Sequence, residues 1–518
     1  MQRWTRTQLR LFAALLLWGL SASVLAITPE ALFEQVSGQA RDLAQSPYEE
    51  PKFSGELPQQ LAELSYDQYR QIRYRKDRAI WRNQGLFQVE LFHPGFLYKK
   101  PVTIHLVEGE EVKELPFDSS RFSYDDQVAS LADQDLSKLG YTGFRLHYPL
   151  NRADTADEFA VFLGASYFRL IGRGNSYGMS ARGLAINTGL PQGEEFPSFK
   201  EFWLVRPQPD ADHMTIIALL DSPSLSGAYR FDITPGQSTE IVTEARLFAR
   251  KDVNKLGIAP LTSMFLHGEM GRHQQDDYRP RVHDSSGLLM ATSTGEWTWR
   301  VLDNPETLQI TSLQDTSPKG FGLVQRPRTF DAYLDMEGRY EKRPSQWVEM
   351  QGDWGEGRVE LVEIPSDSEA NDNITAYWVP KTPLLAGESR TYRYRTYTFA
   401  SAPENDTLAK VVRSRQGLAA NGHHDTPPDA NIRQFIVDFR GKDLDGLDPS
   451  QPVKAALTTS SGKISHAFVT ALPDGKTWRA SFRLEPESGS PADMRLTLNL
   501  RGRPLSETWN AIWNDNEL

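Results

Sequence analysis

Cysteine is missing from all 518 positions of the sequence. Disulfides and thiolate metal sites are therefore excluded, and the fold must be held by burial of apolar surface alone. Histidine is sparse: ten are scattered along the chain, with no HExxH-type pattern and no carboxylate–histidine cluster at ligand spacing. The expectation is no metal and no cofactor. His423-His424 is the closest approach to a metal pair, but in a Pro-rich loop such a pair reads as solvated. Positive charge is also in deficit, with 57 Lys and Arg against 68 Asp and Glu and a net charge of −11. Nucleic acid and anionic membrane surfaces attract basic patches, so both are disfavoured as partners. Beyond the first 25 or so residues no apolar run is long enough to cross a bilayer. A dinucleotide fingerprint is absent too, since Gly172-Arg-Gly-Asn-Ser-Tyr-Gly178 has the wrong spacing and no βαβ unit follows it.

What is present begins with Arg3, Arg6 and Arg10, an apolar run from Leu11 to Leu25, and Ala26. This is the charged, apolar and small-residue order of a cleaved secretory signal, predicted over residues 1–26. An uncleaved anchor competes with it, but the run is short for a membrane span. Export places the mature protein in the periplasm, and removal of three arginines makes it more acidic still. Thr28-Pro29 then reads as an N-cap and first helical residue, followed by the stripe Leu32, Phe33, Val36, Ala40 and Leu43. A second short helix is predicted over Tyr66 to Ile72. From there the apolar period becomes two, as in Phe87, Val89 and Leu91, Val102, Ile104 and Leu106, and Phe144, Leu146 and Tyr148. Short alternating strands between turn clusters predict a mainly β protein built as a sandwich. Pattern is lost from Ala402 to Ala430, and Pro473-Asp-Gly475 then marks a hairpin in a region of short strands. The predicted division is a large β-sandwich domain over 27–405, a linker over 406–430, and a small immunoglobulin-like β-sandwich over 431–518.

One stretch stands out as a site for chemistry, Glu363-Ile-Pro-Ser-Asp-Ser-Glu-Ala-Asn-Asp-Asn-Ile-Thr-Ala-Tyr-Trp378. Two strands flank small and acidic residues, and Asp372 sits between two asparagines. Such a loop projects a carboxylate from a rigid sheet edge. Taken alone it reads more readily as a solvated acidic turn. Asp284, next to His283 in another turn, is a second carboxyl, followed by Glu296-Trp297-Thr-Trp-Arg300, Gly320 to Arg326 and Tyr340. Aromatic faces beside carboxylates suit a carbohydrate cleft, although aromatics on strands are more often core. The segment 159–190, bearing Arg182, fits either a sugar-binding wall or a bulged sheet corner.

These residues bring a resemblance with them. Phe162-Leu-Gly-Ala-Ser-Tyr-Phe-Arg169, Tyr177-Gly-Met-Ser-Ala-Arg-Gly183, Leu220 to Phe231, His283-Asp-Ser-Ser-Gly287, Gly320 to Gln325, Asn371-Asp-Asn-Ile374 and Leu505-Ser-Glu-Thr-Trp509 stand in one order along the chain. In these motifs the chain resembles the periplasmic glucan biosynthesis family G/D (OpgG and OpgD, also called MdoG), and the closing Leu-Ser-Glu-Thr-Trp is closer to the G branch. The resemblance implies work on osmoregulated glucans with a β-1,2-glucose backbone, which some members hydrolyse with inversion. It implies Asp372 as general acid, Asp284 on the base side, and Tyr340 lining the cleft. Trp297, Arg326, Ser286 and Arg182 are further substrate-binding candidates. Ser286 stands where the family commonly has a second aspartate, so a proton relay there would need water. The expected partners are β-1,2-glucan, the inner-membrane glucan synthase and a second copy in a homodimer. A non-catalytic glucan-binding factor assisting the synthase is the alternative to an inverting β-1,2-glucanase.

Overall fold

The computed structural model describes residues 27–271, 276–400, 402–403, 408–419 and 431–514. The protein is mainly β. A ten-stranded and a fifteen-stranded sheet face one another across an apolar core. Alternation explains why they meet. Along Leu225–Thr234 and Glu240–Ala249, side chains such as Tyr229, Phe231, Ile233, Ile241 and Leu247 are buried while their neighbours are less so. The opposing sheet supplies Phe144, Phe162 and Phe168, whose rings pack on Phe202 and Phe231. The helix Pro29–Ala44 begins at Thr28, whose hydroxyl accepts from Ala31 N. Its apolar stripe, Leu32, Phe33, Val36 and Ala40, covers the outer face of the fifteen-stranded sheet at Trp203, Ile217, Leu219, Ala228 and Phe248.

Two sequence expectations need correction. The helix predicted over Tyr66 to Ile72 covers only Tyr66–Tyr69, started by a capping box at Ser65. Ile72–Tyr74 instead pairs as a strand with Phe122–Tyr124, because backbone pairing outweighs local propensity. The stretch 406–430 is not simply a linker, since Lys410–Leu418 is a strand paired antiparallel with Arg433–Arg440. His423-His424 lies outside the described residues.

The C-terminal part is itself a two-sheet sandwich, yet it is not hung on a tether. Its last strand, Thr508–Trp513, pairs in parallel with Trp297–Val301 of the large part, so the fifteen-stranded sheet runs through both. One core is shared there: Trp297, Trp299 and Trp347 join Phe435, Phe482, Trp509 and Trp513. Gly287 and Gly322 make room for two of these indoles, because a Cβ on either would stand 2.3 Å from the Trp299 ring or 2.9 Å from the Trp347 ring.

The two large sheets are also tied by charge. Arg300, on Trp297–Val301, donates to Glu363 across the sandwich at 3.0 Å. Glu363 further accepts from Asp303 N and Gln309 Nε2, both at 2.8 Å, and both charged side chains are almost wholly buried at 2% and 0% exposure. Removing one partner leaves an uncompensated buried charge, which typically costs about 3–5 kcal/mol. Arg300→Met is therefore expected to lower unfolding free energy by about that amount, as read by denaturant unfolding of the intact protein, with Arg300→Met/Glu363→Met recovering much of it.

Candidate functional site

The Asp372 loop closes between two strands of the ten-stranded sheet, Glu356–Glu363 and Ile374–Pro380. Its base is fixed by amides. Asn373 is buried, accepting from Phe265 N at 2.8 Å and donating to Phe265 O and Ile364 O at 2.9 and 3.0 Å. Asn304 likewise accepts from Ser366 N at 2.9 Å and donates to Ser366 O and Leu266 O at 2.7 and 3.1 Å. Each amide therefore does the work of a short piece of strand. Beyond these anchors the loop is largely exposed, and Asp372 projects from it.

Asp284 follows the two-residue strand Val282–His283, and its backbone N–H donates to Met264 O at 2.8 Å. Its side chain is 5% exposed and receives a hydrogen bond from Arg343 Nη1. Burial pushes the Asp284 carboxyl up to about 6, with Arg343 opposing the shift and the charge of Asp372 adding to it. The Asp372 carboxyl is also raised, again by burial, with Arg169 and Arg343 opposing. Its side chain keeps 34% exposure, so solvent reaches it. Arg169 Nη2 lies 3.9 Å from Asp372 Oδ2 and its Nε donates to Ser180 Oγ at 2.8 Å. The two carboxyls, 88 positions apart in sequence, thus face one electrostatic environment containing Arg169 and Arg343. The phenols of Tyr98, Tyr167 and Tyr177 lie within electrostatic reach of Arg169.

The other candidates divide. Tyr340 borders the Asp284 side: Arg343 lies over its ring at 4.0 Å and its hydroxyl donates to Glu369 at 2.8 Å. One ring face is thus covered by Arg343, and Tyr333 packs nearby at 5.8 Å. Ser286 is next to the site, but its hydroxyl donates to Val324 O and accepts from Arg326 N, both at 3.1 Å. Its proton is committed to closing the strand pair.

Trp297 is not a platform for a sugar. Its ring is 7% exposed and stacks on Trp347 with centroids 5.6 Å apart, in the core shared with the C-terminal part. Arg326 is likewise committed elsewhere: it lies 3.6 Å over Trp299, and its Nη2 donates to Glu507 at 2.7 Å while Nη1 holds Glu507 and Val411 O. It clamps the two parts of the molecule together. Arg182 is buried against Glu194, between the rings of Tyr167 and Phe196 at 5.0 and 5.1 Å. At 3% side-chain exposure it is not presented to a ligand.

Arg343, Arg169 and Glu369 were not assigned roles in the sequence reading. Arg169 lies in a quoted motif and Glu369 in the acidic loop, but nothing in spacing couples Arg343 to a carboxyl 59 positions away. Among the described residues, no three His, Asp or Glu side chains converge as a metal-ligand set.

A folded carboxyl that binds its proton more tightly than the unfolded chain favours folding most below its ordinary value of 3.8. That contribution is lost as pH rises through about 6. Arg343→Met removes the charge opposing the shift, so the Asp284 midpoint should move upward from about 6. Carbon-13 carboxyl titration of labelled aspartates, with Asp284→Asn to assign the signal, checks this; an unchanged or lowered midpoint would contradict it.

Comparison with known proteins agrees over nearly the whole chain. Residues 32–513 match the family model described as periplasmic glucan biosynthesis protein, MdoG. The chain is 45% identical over 476 residues to glucans biosynthesis protein G of Shewanella frigidimarina, covering 92% of this chain and 83% of the relative. It is 44% identical over 477 residues to the protein of that name from Vibrio cholerae, covering 92% and 85%. With that of Ralstonia nicotianae it shares 45% over 482 residues, covering 92% and 95%. A match of this length and identity has one reading: the chain belongs to the MdoG family of periplasmic glucan biosynthesis proteins.

Proposed function

We propose that the protein acts in the periplasm in glucan biosynthesis, as an inverting endo-β-1,2-glucanase that trims or shapes the glucan backbone. The family and the names of its relatives support the setting. The observation that carries the chemistry is the meeting of Asp284 and Asp372 in one arginine-bearing environment, both with raised affinity for a proton. Glycoside cleavage needs one protonated carboxyl for the leaving oxygen and one ionised carboxylate to activate water. Asp372, reachable from solvent and free of any direct arginine hydrogen bond, suits the acid. Asp284, held by Arg343, suits the base side: a carboxyl titrating near 6 is largely ionised at neutral pH. Arg343 orients it and keeps it from rising further. Water at the cleft would carry the proton to Asp284, because the Ser286 hydroxyl is bonded elsewhere.

The rival reading, a glucan-binding factor that assists the membrane synthase, needs the cleft but not the proton chemistry. Incubating purified protein with β-1,2-glucan and following chain length and anomeric configuration separates the two. Shortened chains with inverted anomers are expected from the wild type. Asp372→Asn should retain binding and lose about 10²–10⁴-fold in turnover, the usual worth of general acid–base help. Turnover should also fall as pH drops below about 6, where Asp284 takes up its proton. Intact glucan with undiminished binding by the wild type would favour the rival.

A further inference from the structure

The Glu369 carboxylate ties the tip of the Asp372 loop to the segment bearing Tyr340 and to Arg279. Glu369, three residues before Asp372, accepts from Tyr340 Oη and from Arg279 Nη1, each at 2.8 Å. Both donors belong to structure that is itself fixed. Arg279 also donates to Asp335 at 2.8 Å and to Asp277 through Nε and Nη2, at 3.0 and 2.7 Å. Its guanidinium is held firmly in its charged form, chiefly by Asp277. Asp335 in turn accepts from Glu337 N and Gly338 N at 2.8 and 2.6 Å, which shapes the turn leading into Tyr340. Gly338 leaves room for that turn, since a Cβ there would stand 2.7 Å from the Tyr340 ring. The Tyr340 ring carries Arg343, and Arg343 holds Asp284. An unbroken set of contacts therefore runs from the loop bearing one carboxyl to the side chain bearing the other.

We propose that Glu369 is a positioning residue, a latch whose bonds to Tyr340 and Arg279 fix the Asp372 loop relative to Arg343 and Asp284 and so set the spacing of the two carboxyls. Its kinetic consequence rests on the hydrolase reading given above. The loop base, pinned at Asn373 and Asn304, forms without Glu369, so the latch governs the tip and not the sheet. Asp372 sits between anchor and latch. Releasing the tip gives it a range of positions, and a misplacement on the order of 1 Å can cost about 10²-fold in rate.

The test compares Glu369→Ala, Glu369→Gln and Tyr340→Phe in the full-length mature protein. Glu369→Ala should lower β-1,2-glucan turnover by about 10–100-fold, with the glucan Kd within about threefold of wild type and an unchanged unfolding transition. Glu369→Gln keeps an oxygen for both donors and should recover most of the loss, while Tyr340→Phe should fall between them. The alkaline limb of the pH profile should move to lower pH in Glu369→Ala, because water admitted to the cleft removes the burial that raises Asp372. Wild-type turnover in Glu369→Ala, or parallel loss of affinity and turnover, overturns the latch. If the wild-type protein binds glucan without cleaving it, the hydrolase reading fails by itself. The latch is then judged by amide hydrogen exchange over residues 365–373 and by carboxyl titration of Asp372. Faster exchange confined to that loop with a lowered Asp372 midpoint in Glu369→Ala supports it, and no change in either overturns it.

Discussion

A carboxyl as deeply buried as Asp284 is costly unless something compensates its charge, and Arg343 is that compensation. The arrangement follows from this requirement. A guanidinium held at Asp284 has to reach it from a different part of the chain, so the segment from Tyr333 to Arg343 must be packed tightly against the Asp284 turn. Tyr340 gives the guanidinium a ring face to lie on, and such cation–π contacts strengthen as water is excluded. Gln325 adds a second tie, donating to the backbone carbonyl of His283 at 2.6 Å. His283 itself stays neutral, its imidazole pushed down to about 3 by burial and stacked on Phe265. Phe265 is also the residue whose backbone receives Asn373. The anchor of one carboxyl and the support of the other therefore meet at a single residue.

The shared sheet gives the C-terminal part a physical role that a tethered module would lack. Glu507, fully buried, is satisfied by Arg326 and by the N–H of Val411 at 2.7 Å, and Arg326 N in turn donates to Ser286. Removing Glu507 would leave the Arg326 guanidinium without its carboxylate, while the backbone of the same arginine holds Ser286, two residues after Asp284. The Leu505–Trp509 motif is thus part of the support of the site, although it lies more than 200 positions downstream. The same packing explains why Trp297 and Trp299 are buried: they fill the seam where the two parts join.

Alternation made much of this legible in advance. Strands such as Gly143–Tyr148 and Thr477–Glu485 declare themselves because one face is apolar, and Asp474-Gly475 marks the hairpin before the second of them. Lys410–Leu418 escaped notice because only Val411 and Ser414 are buried along it, while Val412 is exposed among arginines. Trp297 was misassigned because period two tells which residues share a face, not which face meets a partner. Asp284 and Asp372 could be named from motifs, but Arg343 could not, since an ion pair between residues 59 apart leaves no local pattern. The role of Asn373 was hidden for the same reason: its partner Phe265 is 108 positions away.

The division of labour between the two carboxyls can be argued from their surroundings alone. Asp284 is already desolvated and already paired, so a bound polymer changes its environment little. Asp372 is different: it retains contact with water and its nearest cation, Arg169, stands at 3.9 Å without a hydrogen bond. A glucan filling the cleft would remove that water and favour the protonated form of Asp372 at the moment a glycosidic oxygen arrives. The charge of Asp372 raises the Asp284 carboxyl, so a proton on Asp372 also favours the ionised form of Asp284. A direct bidentate arginine on Asp372 would cancel both effects. On the proposed reading, the distance kept by Arg169 is therefore as much a part of the acid as the carboxyl itself.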